Sequence, residues 1–549
     1  MGEGTRPDGY GEIVRAGPCA RLAGMIRRRI ASAAGIIMLG TLTTSVLGFV
    51  RAFVVARYFG AGTRTDAFFA ALVVPQMFYD QLIGGAIAAV LIPSFSRLAV
   101  EDQRELWRVI GSVFALVAVV LTATVLILEV LAHPLMMVIA SGFALHTHAG
   151  ALPLSVKLLR VLLPALIFMG LAAVALATLY SLNRRVVPSF ATAGYHIGII
   201  VAAVVASTRW GITALAVGAV AGAALQLIVQ IPSLLEARRR MHVPALKIRL
   251  DLQNAAVRRI LWLYVPVAAG LCVSIAGQVA DINFKSHLPQ TGGLSSMQYA
   301  TQVIQFPIGI VVGALGFAVL PSISADVAAG QLGRFKDALM VGFRLVLVLM
   351  IPAMAGILTL ATPIVSLLFQ RGQFTHVDTV HTATALLGYA PQLPFIGLDQ
   401  LLIVAFYARH NTLTPALVGV AGVGIYVLSA AILLGRLTIL GLALANTIQI
   451  GAHALILLVL LLRAVGALPL TKFPGTVGKV CLATGGMTAA ILAVQHWLSP
   501  NGGGSYAHFV AVSLPIVIAV AVYGGLLLAL RVEEATLLWK AIRVKVGGS

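Results

Sequence analysis

The sequence predicts an all-α polytopic membrane protein. Of its 549 residues, 60% are hydrophobic and only 10% are charged, and the mean hydropathy is +0.99. Soluble domains carry about 25% charged residues, and a soluble core could not bury this much apolar surface because surface grows too slowly with volume. Apolar stretches of about 20 residues, the length of a helix that crosses a bilayer, recur along the whole chain.

We count about fourteen such spans, and several are long enough to require a tilted or kinked helix. Their approximate limits are 32–57, 66–93, 107–132, 154–182, 187–207, 212–235, 260–284, 297–320, 338–361, 380–407, 413–434, 438–462, 475–497 and 507–530.

The net charge of +20 is distributed unevenly along the chain. The termini and the loops after even-numbered spans, with the adjoining span ends, hold 29 of the 38 Lys and Arg residues, and the loops after odd-numbered spans hold 8. Cytoplasmic loops carry the excess of basic residues, so both termini are predicted to be cytoplasmic. The basic runs are interpreted as topology signals that face membrane lipids, and no nucleic-acid partner is expected.

An internal repeat divides most of the chain into two similar parts. The motif IPSFS at 92–96 recurs as LPSIS at 320–324, an offset of 228 residues. Four further correspondences keep nearly this spacing: Pro134 with Pro363, Pro164 with Pro391, Gly170-Leu171 with Gly397-Leu398, and Tyr180…Pro188 with Tyr407…Pro415. Each repeat holds six spans, so both copies insert with the same orientation, as in transporters built from parallel repeats.

The repeat and the basic loops set the predicted boundaries. The regions are a basic cytoplasmic N-terminal segment (1–31), an N-terminal six-helix lobe (32–236), a basic cytoplasmic loop (237–259), a C-terminal six-helix lobe (260–465), and two added helices with a cytoplasmic tail (466–549).

Polar residues inside the spans indicate where a cleft would lie. A charge at bilayer depth is costly, so it needs a partner, a cavity or a function. The clearest candidates are Arg51, Asp80, Asp281 and Asp399, with glutamines such as Gln76, Gln302 and Gln305 nearby in the spans. One interpretation is a hydrated cleft lined by the first, second, seventh and eighth spans. The other is that each glutamine merely bonds across a helix interface.

Two readings of Asp80 remain open. It could form an ion pair with Arg51, because consecutive helices joined by a short loop usually pack side by side. Alternatively, it could be neutral and bond Gln76 or another helix. The sequence contains no Walker lysine loop, no Gly-x-Ser-x-Gly turn and no metal-ligand spacing, so neither an enzyme nor a cofactor or metal site is expected.

The stretch TTSVLGFVRAFVVARYFGAGTRTDAFFAALVVPQMF resembles the MurJ (MviN) family of lipid II flippases, in the multidrug/oligosaccharidyl-lipid/polysaccharide exporter superfamily. Val46–Phe49, Arg51, Phe59–Gly62 and Asp66–Phe68 match the family pattern in register. In the second half, FPIGIVVGALGFAVLPSIS (306–324), LLFQRGQFT (367–375) and FYARHNTLTP (406–415) are similar to family motifs.

The resemblance implies a flippase for a polyprenyl-diphosphate-linked saccharide, and lipid II is the first candidate. It also implies that the flippase works by alternating access and that its last two helices help to hold the polyprenyl tail. It also implies a cationic cavity that meets the diphosphate. The sequence departs from that pattern. The family has arginines at the positions of Ser45, Tyr79-Asp80 and Gln302, and it has a glutamate at the position of Gly84. In some members, polar residues of helix eleven are linked to sodium, and these residues have no counterpart in this sequence. The expected substrate-binding residues are Arg51, Ser45, Asp66, Gln76, Asp80, Gln302 and Gln305, and the expected ion-coupling residues are Asp281 and Asp399.

The resemblance also implies a monomer in the bacterial inner membrane, with a lipid-linked glycan as substrate and cell-wall synthesis enzymes as candidate partners. Two alternatives remain open. The chain could export another lipid-linked glycan or amphiphile, or it could be a degenerate flippase kept as a scaffold.

Overall fold

The protein is described by a computed structural model that covers residues 18–81, 90–145, 150–243, 249–251, 253–498 and 505–534, and these residues form helices and turns with no strand. The helices are α1 (Pro18–Phe59), α2 (Thr63–Gln81), α3 (Ile92–Glu101), α4 (Gln103–Val130), α5 (Ala132–Ile139), α6 (Ala151–Leu162), α7 (Ala165–Ser181), α8 (Val186–Ala191), α9 (Ala193–Trp210), α10 (Thr213–Ile228), α11 (Ile231–Arg240), α12 (Ala255–Ser286), α13 (Gly293–Ala318), α14 (Leu320–Ala328), α15 (Leu332–Phe369), α16 (His376–Tyr389), α17 (Leu393–Ala408), α18 (Leu413–Val465), α19 (Phe473–Trp497) and α20 (Ser505–Ala529).

The all-helical membrane architecture is confirmed, whereas the count of fourteen spans stays a prediction. Within the described residues, nine helices are long and apolar enough to cross a bilayer, or ten if α6 and α7 form one span bent by 41°. Pro164 lies at that bend, where proline removes a backbone donor. The 53-residue α18 contains two predicted spans, 413–434 and 438–462, and its backbone leaves the helical conformation at Thr438 between them.

The repeat reappears in the packing of the helices. In the N-terminal half (32–236) α2 packs on α6, α4 on α7, and α3 on both α4 and α7; in the C-terminal half (260–465) α13 packs on α16, α15 on α17, and α14 on both α15 and α17. The repeated prolines Pro93 and Pro321 each lie in the first turn of a short helix. Asn183 and His410, which correspond in the two repeats, both adopt a left-handed φ of 58°. The two halves therefore repeat one arrangement of helices.

Small residues let α9 and α10 approach closely in the N-terminal half. A Cβ at Gly198 would collide with the backbone of Gly218 and Gly222 on the facing helix. In lipid, where apolar association alone does not hold helices together, such close contact gains dispersion energy. The closely packed α9 and α10 support α1, which packs on α9.

The last two helices are attached to the C-terminal half. α19 and α20 pack against each other and against α15. Tyr523 donates a hydrogen bond to the carbonyl of Val348 at 2.6 Å. Arg344 pairs with Glu534 at 2.6 Å in a contact that leaves only 13% and 3% of the two side chains exposed. α19, α20 and α15 are thus joined by packing, a hydrogen bond and a buried ion pair.

Candidate substrate cleft between the two halves

Asp66 connects the two halves at one face of the membrane. This face carries the loops after odd-numbered spans, and we call it the odd-loop face. Asp66 lies near the start of α2, only 2% exposed. Its carboxylate accepts hydrogen bonds from the backbone N–H of Gly292 at 2.8 Å and from the backbone N–H and hydroxyl of Ser295, both at 2.7 Å. A carboxylate at a helix N-terminus satisfies free N–H groups and favours the helix dipole, so Asp66 caps α13 across the interface.

The turn between α1 and α2 extends this contact into what we call the latch: residues 57–66 against residues 292–299 and 372–378. Gly292 has a φ of +80°, and a Cβ there would collide with the carbonyl of Ala61, so glycine is required for both conformation and space. Three further hydrogen bonds complete the latch: Tyr299 hydroxyl to Gly60 carbonyl at 3.1 Å, Gln373 N–H to Arg57 carbonyl at 2.9 Å, and Ala61 N–H to Asp378 carboxylate at 3.5 Å.

The end of α12 makes a second contact between the halves at the same face. Asn283 donates from its amide to the carbonyl of Val138 and to the hydroxyl of Ser141, both at 2.8 Å. The N–H of Gly142 donates to the Ser286 hydroxyl at 3.0 Å. The hydrogen bonds named above between 32–236 and 260–465 all lie at the odd-loop face, so the halves are joined there. At the opposite face Asn254, the N-cap of α12, donates from its amide to the Glu105 carboxylate of α4 at 2.6 Å.

Arg51 lies below the latch, in a small cavity between the halves. The cavity has a volume of about 10 Å³, enough for roughly one water molecule, and its polar lining comes from Arg51, Gln298, Tyr299 and Gln302. Arg51 belongs to α1, and the other three belong to α13. Among the described residues no carboxylate lies within ion-pairing distance of the Arg51 guanidinium. A cation at this depth without a counter-ion favours a bound anion.

The ion pair predicted between Arg51 and Asp80 is wrong for this structure, and the hydrogen bond of the alternative, between Asp80 and Gln76, is observed. Asp80 accepts a hydrogen bond from Gln76 of its own helix at 3.1 Å. Helix geometry gives the reason, because each residue rises about 1.5 Å along the axis. Arg51 lies about 12 Å from the odd-loop end of α1, whereas Asp80 lies about 25 Å from the same end of α2. The two residues occupy different depths.

The remaining predicted substrate residues are distributed along the cleft. Gln302 lines the Arg51 cavity, whereas Ser45 and Gln305 are exposed on α1 and α13. Asp66 is engaged in the latch, so its carboxylate is not open to a ligand in this conformation. Gly84 lies outside the described residues.

The two predicted ion-coupling carboxylates already have internal partners. Asp281 receives the ammonium of Lys285 at 2.6 Å and the hydroxyl of Tyr426 at 2.8 Å, beside a 560 Å³ groove between α12 and α18. Asp399 contacts the Nδ1 of His453 at 2.6 Å. Each carboxylate is therefore held in place without an added cation, and no group of three or more metal-type ligands occurs in the described part of the chain.

Sequence reasoning missed Lys285, His453 and Asp378 as partners of these sites. Lys285 could have been found, since it lies four residues after Asp281 on one helix, the spacing of a helical ion pair. His453 and Asp378 could not, because their partners Asp399 and Ala61 lie 54 and 317 positions away.

A family model described as "Lipid II flippase MurJ" matches residues 55–531. The chain belongs to the MurJ family. This is a family of flippases, which transport lipids rather than catalyse a reaction. The MurJ resemblance predicted from the N-terminal and 306–415 motifs is thereby confirmed.

Curated MurJ relatives and solved structures agree with this assignment. A probable lipid II flippase MurJ of Bdellovibrio bacteriovorus is 25% identical over 92% of this chain and 96% of its own. The protein of the same description from Vibrio cholerae is 28% identical over 86% and 91%. A structure titled "Lipid II flippase MurJ, inward closed conformation" shares the fold, with a TM-score of 0.74, 23% identity and coverage of 92% and 99%. An inward-facing MATE transporter of the MOP superfamily shares it less closely, with a TM-score of 0.61, 15% identity and coverage of 78% and 96%.

Proposed function

We propose that this MurJ family member carries lipid II, a polyprenyl-diphosphate-linked saccharide, across the bacterial inner membrane. The observation that carries the proposal is Arg51, whose guanidinium pairs with no carboxylate of the described residues and lies in the cavity between the halves, directly below the latch. Guanidinium groups bind phosphate oxygens with two parallel hydrogen bonds. The names of the MurJ relatives support lipid II as the source of that phosphate.

The closed odd-loop face supports an alternating-access mechanism. Opening the latch would expose the cavity to the odd-loop face, and closing the opposite ends of the halves would complete the exchange. We infer from the basic loops that both termini are cytoplasmic, so the odd-loop face, where the latch joins the halves, is periplasmic.

One observation favours a second candidate, the export of another lipid-linked glycan or amphiphile. Gln302 lines the cavity where the family pattern has an arginine, so the described cavity presents one guanidinium. A site with fewer cations binds a diphosphate less strongly. A substrate with one phosphate would need fewer cations in the cavity than a diphosphate does.

Rescue of a MurJ-depleted strain tests the proposal. Arg51→Ala should abolish rescue and the appearance of lipid II at the periplasmic face, and Arg51→Lys should retain part of both because lysine binds phosphate only as a point charge. Arg209→Ala, which removes an exposed cation in the last turn of α9, is the matched control and should rescue fully. Equal rescue by wild type and Arg51→Ala, with equal protein in the membrane, would contradict the proposal. Rescue without any change in lipid II exposure would favour a scaffold.

A further inference from the structure

His196, on α9, lies near Gln302, one of the residues that line the Arg51 cavity. Gly48 lies three residues before Arg51 on α1, which places both on one helix face. A Cβ at Gly48 would lie 3.6 Å from both Cε1 and Nε2 of His196 and 3.8 Å from the amide nitrogen of Gln302. The imidazole of the N-terminal half and the amide of Gln302 from the C-terminal half therefore both lie beside Gly48, about one helical turn from Arg51.

The imidazole makes no hydrogen bond to any described residue. Its Nδ1 is buried without a partner, and its ring makes only an edge contact with Tyr195, at 5.8 Å between centroids. A buried polar group without a partner loses about 1–3 kcal/mol relative to a satisfied one. Such groups in native structures call for an explanation, and a ligand that is absent here is one.

Arg51 is the charged group that acts on His196. The two side chains are close enough to interact electrostatically, and both Arg51 and Asp80 act on the adjacent Tyr195. α8 and α10, which pack on α9, contain no ionisable residue. The nearest titratable group of α13 is Tyr299, which faces Arg51, and Arg57 on α1 lies at the latch. No carboxylate of the described residues pairs with His196.

We propose that His196 is a second ligand of the anionic head group and takes up a proton when that anion binds beside Arg51. Without an anion, a protonated imidazole would be a buried charge and would also be repelled by the Arg51 guanidinium, and both effects disfavour the proton. The closed cavity has room for about one water molecule, so a diphosphate enters only when the halves separate. Once it lies between the two side chains it attracts both cations, so the bound anion favours the proton. This inference rests on the proposed function and adds proton-linked binding to it.

The proposal also gives the cavity a replacement for arginines that the family pattern has and this chain lacks. Gln302 could donate its amide to the same anion as a neutral third ligand, since it lines the cavity with Arg51 and its nitrogen approaches Gly48 beside His196. α1, α9 and α13 would then each supply one ligand, two from the N-terminal half and one from the C-terminal half.

Binding of lipid II to the purified full chain in nanodiscs tests the inference between about pH 6 and 8, the range in which histidine ordinarily titrates. Lipid II is a suitable probe because its diphosphate is a diester whose charge is constant in this range. The affinity of the wild type should rise as the pH falls, by up to about tenfold per pH unit, the limit for uptake of one proton. His196→Gln should bind more weakly at pH 6 and lose this pH dependence.

Two further variants separate a ligand from a merely structural residue. His196→Arg supplies a permanent cation, so it should bind at pH 8 as the wild type binds at pH 6, without pH dependence. His496→Gln removes an exposed histidine at the end of α19 and should keep the wild-type profile. A wild-type affinity that does not change with pH, or a pH dependence that persists in His196→Gln, overturns the inference and leaves the proposed function intact. Absence of lipid II binding at every pH overturns both.

Discussion

The carboxylate of Asp66, on α2, accepts the backbone N–H of Ser295, in the first turn of α13, at 2.7 Å. The two residues are 229 positions apart and belong to different halves. A capping bond that ordinarily stabilises one helix therefore connects the two halves, which separate at the odd-loop face under the proposed alternating-access mechanism.

Asp66→Asn should weaken the latch. The amide replaces one acceptor oxygen with a donor that faces an N–H, and loss of such a buried bond costs about 1–3 kcal/mol. The open population at the odd-loop face should rise by about 5- to 150-fold, measured by thiol labelling of Ala61→Cys in a background with the native cysteines replaced.

Asp102→Asn is the matched control for that change. Asp102 caps its own helix α4 by accepting the N–H groups of Arg104 and Glu105, and these bonds hold the pKa of its carboxyl below the usual range. The Asp102 cap does not connect the N-terminal half to the C-terminal half. Labelling of Ala61→Cys that is equal in the Asp66→Asn and Asp102→Asn proteins would show that the cap does not hold the latch.

Gly292→Ala should prevent closure of the latch. Alanine disfavours the left-handed conformation by about 1–2 kcal/mol, and its Cβ would also collide with the Ala61 carbonyl. Gly330→Ala carries the conformational cost alone, because Gly330 has a φ of +67° and open space around it. Rescue of a MurJ-depleted strain should fail for Gly292→Ala and persist for Gly330→Ala. Failure of both would assign the effect to backbone strain and not to the latch.

Exchange of the Arg51 and Asp80 charges should not restore function. The residues lie at different depths, so Arg51→Asp combined with Asp80→Arg should be as inactive as Arg51→Asp alone, whereas Asp80→Asn should remain active. Rescue assays with protein quantified in the membrane measure this. Recovery in the double variant would mean that the two side chains meet in another conformation.

Lys285→Met should destabilise the C-terminal half. It leaves the Asp281 carboxylate without its cation, and breaking a buried pair on one side costs about 3–5 kcal/mol. Asp281 is 30% exposed and Lys285 7%, so we expect the lower end, visible as a lower thermal midpoint in detergent. Lys472→Met, in a pair with Glu533 that is 63% exposed on both sides, should cost about 0–1 kcal/mol. Asp281→Asn added to Lys285→Met should recover most of the loss, and no recovery would contradict the pair.

Thiol labelling from outside intact cells tests the orientation. In a background without native cysteines, Thr291→Cys in the exposed turn before α13 should react when the odd-loop face is outside, and Gln253→Cys in the basic loop should not. The opposite pattern would reverse the orientation inferred from the basic residues.

The fold was predictable because lipid imposes strong rules on sequence. Span length, basic loops and the 228-residue repeat each follow from a local pattern, and the repeat reappears in the matching turns at Asn183 and His410. The depth of Asp80 was also available from the rise per residue, and adjacency of the helices was mistaken for proximity of the side chains.

The site was predictable only in part. Arg51 and Gln302 were found because polar groups at bilayer depth are conspicuous. The role of Asp66 as a cap was not found, since its partners lie 226 and 229 positions away. His196 was missed because an isolated histidine carries no spacing signal, and only the three-dimensional structure brings it beside Gly48 and near Gln302.

The attachment of α19 and α20 to α15 makes the C-terminal half wider than the N-terminal half in the plane of the membrane. Because these helices are fixed to the C-terminal half by Tyr523 and Glu534, that half presents a wider flank to the surrounding lipid. A rocking motion must then displace more acyl chain on one side than on the other. We expect the viscosity and thickness of the bilayer to retard the wider half more, so that the narrower half performs most of the movement.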